Sequence, residues 1–172
     1  MNRTLTAAAT ALLLASLAAC SNNSTSGSSG NDKPTAAPAA STSLDASTAF
    51  TQISGKVHAA KLSDVVTAAN DGNHLLGRPN QYTSKVDFTD SRIKASDVQY
   101  TKKGDVDRGG SIEVFADPTD AQARAKYIQA VTKSMPALSE YDYVHGTVLV
   151  RVSHYLTPTQ AGEYKAAADS LG

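Results

Sequence analysis

Residues 143–153 read Tyr-Val-His-Gly-Thr-Val-Leu-Val-Arg-Val-Ser and carry the strongest strand pattern of the chain. Every second residue from Val148 to Val152 is a valine, and the residues between them include Leu149. A period of two is typical of a β-strand, and apolar residues on both faces favour a strand that is central or covered on two sides. We therefore predict a sheet built around this strand.

Two further strands are predicted upstream. Residues 82–89 and 111–116 alternate between apolar and polar side chains, as half-buried strands do. They are close enough in the chain to pair as an antiparallel hairpin with a long connection. That connection, residues 90–110, is polar and turn-rich, with a weaker strand pattern at residues 98–101.

The N-terminal part of the domain is predicted to be helical. Residues 61–70 have apolar side chains at i, i+3, i+4 and i+7, which is one face of a helix: Leu62, Val65, Val66 and Ala69. Residues 44–60 also contain apolar side chains, but without a clean period. We expect this segment to be either a partial helix or an arm packed on the domain.

Capping signals predict two more helices. Asp117 can cap a helix that has Pro118 at its first position and extends to about Ser134. Thr157 and Gln160 have the spacing of a capping box, which begins the last helix. Arg124 is expected on the solvent face of the first of these two helices.

The predicted order of elements is α-β-β-α-β-α. This order favours one α+β domain over residues 61–172, with a three-stranded, mainly antiparallel sheet packed with about three helices.

The first 20 residues have the order of a secretory signal. Arg3 is followed by an apolar stretch at residues 5–17 and by small residues before Cys20, the only cysteine. About 13 residues are too few to span a bilayer, which needs about 20. A plain signal with an incidental cysteine would also fit this order.

The four residues Leu17-Ala18-Ala19-Cys20 resemble the lipobox of bacterial lipoproteins. The resemblance implies cleavage between Ala19 and Cys20 and attachment of diacylglycerol to Cys20. Two buried acyl chains give stable anchoring where one chain does not. The resemblance therefore implies a protein that is lipid-anchored on the outer face of the cytoplasmic membrane.

The segment after the signal is predicted to be a tether. Residues 20–43 begin with the lipidated cysteine and continue in Ser, Gly, Thr, Ala and Pro, without a large apolar side chain. Such a segment cannot bury enough surface to offset its ordering entropy, so we expect disorder. Residues 1–19 are the predicted signal peptide. With the signal, the lipobox and the tether, the chain is similar to small secreted lipoproteins of actinobacteria, many of unknown function. This similarity implies no catalytic residue.

Charge and motifs exclude several classes of function. The 16 basic and 16 acidic residues balance, whereas a nucleic-acid binder shows a basic stripe or strong positive charge. The four histidines lack metal-ligand spacing, and a partial calcium-loop match at residues 105–116 lacks its acidic residue at position 12. We predict no metal, no cofactor and no nucleic-acid partner.

Two pairs of acidic residues could serve a hydrolase if they faced each other across a cleft. They are Asp87 with Asp90, and Glu140 with Asp142. We assign no catalytic residue on this basis.

Arginine and tyrosine in rigid loops often serve recognition. Two candidate binding surfaces follow on this ground. One comprises Arg78, Tyr82, Lys85 and Arg92, and the other comprises Tyr141 and Tyr143. The alternative is that the tyrosines pack at the edge of the core and the charges are solvated.

The sequence therefore favours a membrane-anchored lipoprotein of the cell envelope that is a non-enzymatic binding or interaction module for a protein or envelope ligand. The alternatives are an envelope hydrolase that uses acidic residues and a phage- or prophage-encoded exclusion lipoprotein.

Overall fold

A computed structural model of the chain describes residues 44–172, which fall within one compact unit. The predicted signal, Cys20 and the tether lie outside the described residues. The described part contains three helices and five strands: α1 (Ala46–Lys56), β1 (Ala60–Val65), β2 (Ser84–Asp90), β3 (Gly109–Val114), α2 (Pro118–Ser134), β4 (Glu140–His145), β5 (Val148–Ser153) and α3 (Pro158–Ala168). None of these helices is both long and apolar enough to cross a membrane.

The five strands form one antiparallel sheet in the order β1-β2-β3-β5-β4. The α+β class and the number of helices are confirmed, whereas the prediction of three strands and the position of the first helix are wrong. One reason lies in residues 143–153, which form the β4–β5 hairpin rather than one strand. The chain reverses at Gly146, whose φ is 54°, and Val144 then pairs with Leu149.

The second reason is the segment predicted as the first helix. Residues 60–65 form strand β1, in which Leu62 pairs with Phe88 of β2. Two of the apolar residues with helical spacing, Leu62 and Val65, are 49% and 47% exposed and so do not form a buried helical face. Backbone pairing with β2 outweighs the local helical pattern. The weak strand pattern at residues 98–101 corresponds to turns.

The first helix instead lies in residues 44–60, for which we expected either a partial helix or a packed arm. Asp45 caps α1 by accepting from the backbone N–H of Thr48 at 2.7 Å. Ala49, Phe50 and Ile53 of α1 are buried in the main core. The order of elements is therefore α-β-β-β-α-β-β-α, and residues 46–56 are part of the domain.

The main core lies between one face of the sheet and helices α1 and α3. The ring of Phe88 stacks on Tyr164 of α3 at 5.3 Å and lies 5.9 Å from Phe50 of α1. Phe88 is accommodated because its neighbour on β3 is Gly110. A Cβ on Gly110 would lie 2.4 Å from the Phe88 ring and 2.2 Å from the carbonyl oxygen of Arg151. Large aromatic side chains of this kind contribute about 1.5–3 kcal/mol each when fully buried.

The predicted caps of the last two helices are confirmed. Asp117 accepts from the backbone N–H of Thr119 at 2.7 Å, and Pro118 is at the first helical position of α2. At the start of α3, Thr157 and Gln160 form the reciprocal capping box. The Asp117 cap fixes where α2 begins, and the capping box fixes where α3 begins.

Helix α2 covers only part of the second face of the sheet. Its residues Ala121, Ala125 and Ile128 pack with Leu149 and Phe115 in a smaller core. The remainder of this face carries charged side chains, and those side chains form the candidate site.

Candidate functional site

Strand alternation gathers charged side chains on the face of the sheet that α2 partly covers. Across neighbouring strands, Asp87 pairs with Ser111, Ser111 with Arg151, and Arg151 with Asp142. Side chains at paired positions project from the same face. We define the charged floor as the polar side chains on this face: Lys85, Asp87, Ser111, Glu113, Glu140, Asp142 and Arg151.

Glu113 is the centre of the charged floor. It is fully buried and accepts from Nε of Arg124 at 3.1 Å and from Nη1 of Arg151 at 3.0 Å. Arg151 also binds Glu140 in a bidentate manner, at 2.7 Å and 2.9 Å. Buried ions are tolerated when they are paired and hydrogen-bonded, and here two guanidinium groups are matched by two carboxylates.

Asp142 is the additional acid in this arrangement. Burial, contact with the carboxyl group of Glu140 and the negative charge of Glu140 raise the pKa of Asp142 to about 8. Because Arg151 already binds Glu113 and Glu140 through three of its nitrogens, an ionised Asp142 would have no guanidinium donor of its own there. Its Oδ1 atom is buried and has no donor among the described residues. We therefore expect Asp142 to be mostly protonated at neutral pH and to donate a hydrogen bond to Glu140.

A second ion pair lies towards β2. Nζ of Lys85 lies 3.3 Å from Asp87, and both side chains are almost completely buried. Burial raises the pKa of Asp87, against the opposing effect of Lys85. Ser111 Oγ, between this pair and Arg151, is buried and has no partner in the part of the chain that is described.

Two cavities lie above the charged floor. One has a volume of about 630 Å³ and the other of about 410 Å³. They share Asn73, Asp105, Val106 and Arg151 in their linings. We call the two together the α2 groove. Ligand pockets in proteins typically measure about 300–1,000 Å³, so the larger cavity is of suitable size for a small organic molecule.

The walls of the α2 groove differ in character. The wall formed by α2 and the following turn is apolar and contains Tyr127, Val131 and Leu138. The same cavity is also lined by the acidic residues Asp105 and Asp107. A ligand in the larger cavity would therefore meet both apolar and charged groups.

The loop that follows β1 is held beside the groove by Asp71. This buried carboxylate accepts from the hydroxyl of Tyr82 at 2.7 Å and from the backbone N–H groups of Leu75 and Leu76 at 2.8 and 2.9 Å. Burial raises the pKa of Asp71, but the hydrogen bonds from Leu76, Tyr82 and Leu75 outweigh it and hold the pKa below its usual value. Asn73, which lines both cavities, lies in the segment that Asp71 holds.

The structure distributes the six residues of the two sequence-derived binding surfaces over different places. Arg78 is exposed on a loop. Tyr82 and Lys85 are buried, and the Lys85 ammonium lies 5.9 Å from the centre of the Tyr82 ring. Tyr141 and Tyr143 pack at the edge of the main core. These side chains do not form one continuous surface.

Arg92, the sixth member, belongs to a separate network on the α1–α3 side. It binds Asp90 through Nη2 at 2.7 Å and Glu163 through Nη1 at 2.6 Å. Asp90 also accepts from the hydroxyl of Tyr164 at 2.7 Å. This network ties the end of β2 to α3, and its groups are occupied by one another.

The acidic pairs proposed from the sequence do not have hydrolase geometry. Asp87 lies on the α2 side of the sheet and Asp90, three residues later in the same strand, on the opposite side. Glu140 and Asp142 lie on the same side but are in direct contact, closer than the roughly 5–10 Å that separates glycosidase carboxyls. Within residues 44–172, His, Cys, Asp and Glu side chains form no group of three that could hold a metal.

Sequence reasoning missed Arg124, Glu113 and Arg151 as site residues. The expectation that Arg124 lies on the solvent face of α2 is wrong, because its side chain is only 12% exposed. A usable signal is present in the strands, since Glu113 and Arg151 interrupt runs that are otherwise apolar. Which charges meet depends on the strand order and on the position of α2, and neither can be read from local patterns.

Comparison of the chain with protein families, with characterised protein sequences and with solved structures gave no match in any of the three.

Proposed function

We propose that this protein is a lipid-anchored binding module of the cell envelope and that it binds its ligand in the α2 groove. The observation that carries the proposal is the groove itself, a cavity of about 630 Å³ over a floor of buried, mutually paired charges. Burying charged groups costs desolvation free energy, and apolar side chains of similar volume often stabilise a folded protein as well as a buried ion pair or better. A ligand-binding role accounts for the retained charges.

The rigidity of the groove also supports binding. Arg151 is held by two carboxylates through three of its nitrogens, and Asp71 holds the neighbouring loop through five hydrogen-bond contacts. Side chains fixed before a ligand arrives lower the entropic cost of binding.

The proposed anchor follows from the Leu-Ala-Ala-Cys motif at residues 17–20. With diacylglycerol on Cys20, the protein would be retained at the outer face of the cytoplasmic membrane. A flexible tether of about 24 residues has a root-mean-square reach of roughly 25–30 Å. The domain would therefore meet ligands close to the membrane surface.

Photo-crosslinking on intact cells tests the binding role. A photoreactive amino acid replaces Tyr127 or Thr132 in the groove, and in the control it replaces Thr48, which is exposed on α1 in the opposite layer. We expect a defined adduct from the groove positions and none from Thr48. Equal labelling at all three positions, or none in the groove, would contradict the proposal.

Cys20→Ser tests the anchor independently. We expect the variant to remain unprocessed or to be released from the membrane fraction, as judged by electrophoretic mobility and fractionation. Unchanged processing and membrane retention would show that Cys20 is not the attachment point.

A further inference from the structure

Arg124 is held at one edge of its guanidinium group and open at the other. Its Nε donates to Glu113 Oε2 at 3.1 Å, whereas its Nη1 and Nη2 atoms have no partner among residues 44–172. Arg151 is different, because its Nε, Nη1 and Nη2 atoms all bind Glu113 or Glu140. Arg124 therefore presents unused donors, and Arg151 does not.

Arg124 also lies close to an aromatic ring and lines cavity space. Its guanidinium lies 5.8 Å from the centre of the Tyr127 ring, a distance at which the ring attracts a cation. Arg124 lines the larger cavity of the groove and also a neighbouring cavity of about 470 Å³. Two terminal nitrogens in a planar fork match the two oxygens of a carboxylate.

The apolar wall lies beside this fork. Tyr127 and Leu138 are 62% and 52% exposed, and with Val131 they line the same cavity as Arg124. Exposed aromatic and aliphatic side chains in a pocket bind the apolar part of a ligand, while a few polar groups orient it. A suitable ligand has an anionic end and an aromatic or branched apolar body.

The charges around the groove limit the charge of the ligand. Asp105 and Asp107 line the same cavity as Arg124. Asp105 accepts a hydrogen bond from the backbone N–H of Lys102, and Asp107 lies 3.5 Å from His154. A second negative charge on the ligand would meet these acids, so a monoanion is favoured over a phosphate monoester, which carries nearly two charges.

We propose that the α2 groove binds an organic monocarboxylate with an aromatic or branched apolar group, whose carboxylate is bound by the open edge of Arg124 and whose apolar part packs on Tyr127, Val131 and Leu138. This inference rests on the proposed function, since it names the class of ligand for the same groove.

Fragment titration tests the ligand class. The chain of residues 20–172, produced without the signal, is titrated with N-acetyl-phenylalanine, its uncharged amide, acetate and phenyl phosphate, and followed by amide NMR shifts. We expect the carboxylate to bind at least about tenfold more tightly than the amide, since one charge-assisted hydrogen bond contributes more than about 1.4 kcal/mol, or tenfold. Shifts should concentrate at residues 124–138.

Three variants make the test specific. Arg124→Gln should reduce the affinity for N-acetyl-phenylalanine at least about tenfold. Leu138→Asp, at an exposed position where folding is not at risk, should do the same by repulsion. Lys126→Gln, also on α2 but outside the groove lining, should leave the affinity unchanged.

The outcomes separate the two proposals. Equal binding of acid and amide, tighter binding of phenyl phosphate, or unchanged affinity in both groove variants would overturn the monocarboxylate inference. If no fragment binds while photo-crosslinking in the groove succeeds, the ligand class is wrong and the binding function stands. If groove crosslinking fails as well, the proposed function is wrong.

Discussion

Replacing Asp142 by asparagine should change how the stability of the domain depends on pH. In the folded protein the pKa of Asp142 is raised from 3.8 to about 8. Between these values the unfolded chain releases the proton and the folded domain retains it. The free energy of unfolding of the natural protein therefore falls as pH rises through this range, by up to about 1.36 kcal/mol for each pH unit. Asparagine, which carries no charge, removes this dependence.

Between pH 5 and pH 8, roughly three units, the free energy of unfolding of the natural protein should fall by at most about 4 kcal/mol. We expect roughly half of this loss, about 2 kcal/mol, because the Asp142 side chain is partly exposed and water screens its charge. For a domain of this size, this corresponds to about 6–10 °C in melting temperature. The amide group introduced by the substitution can still donate to Glu140, so the hydrogen bond is retained.

Urea denaturation of natural protein and Asp142→Asn at pH 5, 6.5 and 8 measures this difference. The two proteins should be similar at pH 5, and the variant should be more stable at pH 8. Asp97→Asn, at an exposed position, is the matched control and should follow the natural protein at all three pH values. Parallel pH profiles for natural protein and Asp142→Asn would refute the assignment of Asp142 as a neutral acid in the charged floor.

The remaining predictions concern stability and can be measured as shifts in the urea midpoint. Gly110→Ala should lower the free energy of unfolding by about 3 kcal/mol or more, because the new Cβ would meet the Phe88 ring and backbone. At Gly162 a Cβ meets nothing within 4 Å. Gly162→Ala should therefore be neutral or stabilising by up to about 1 kcal/mol. Glu113→Gln should cost about 3–5 kcal/mol, since it removes the carboxylate shared by two arginines. Tyr164→Phe should cost about 1–2 kcal/mol through the hydrogen bond lost to Asp90. Equal losses in Gly110→Ala and Gly162→Ala, or a neutral Glu113→Gln, would contradict the packing and the ion pairing described above.

The elements that sequence predicted well are those with local chemistry. The start of α2 depends on Asp117 and Pro118. The start of α3 depends on Thr157 and Gln160. In both helices the residues that signal the start lie within the first helical turn. Such interactions need no knowledge of the rest of the fold.

The elements that sequence did not predict depend on long-range contacts. Leu62 and Val65 have helical spacing, but pairing with β2, which follows much later in the chain, makes their segment a strand. The hairpin of residues 140–153 was hidden because β4 and β5 are joined by only Gly146 and Thr147. The charged floor could not be foreseen because Glu113, Arg124 and Arg151 meet only after five strands are ordered and α2 is placed on them.

The division of the sheet into two unlike faces has an evolutionary consequence. The face under α1 and α3 contains the aromatic packing and the closely approached Gly110, and substitutions there are constrained by volume. The face beside α2 contributes little to that packing, and its lining comes from loops around residues 70–76 and 102–107 and from exposed positions of α2. Under the proposed binding role, side chains in those loops could be exchanged to change the ligand, while the packing of the aromatic layer preserves the scaffold.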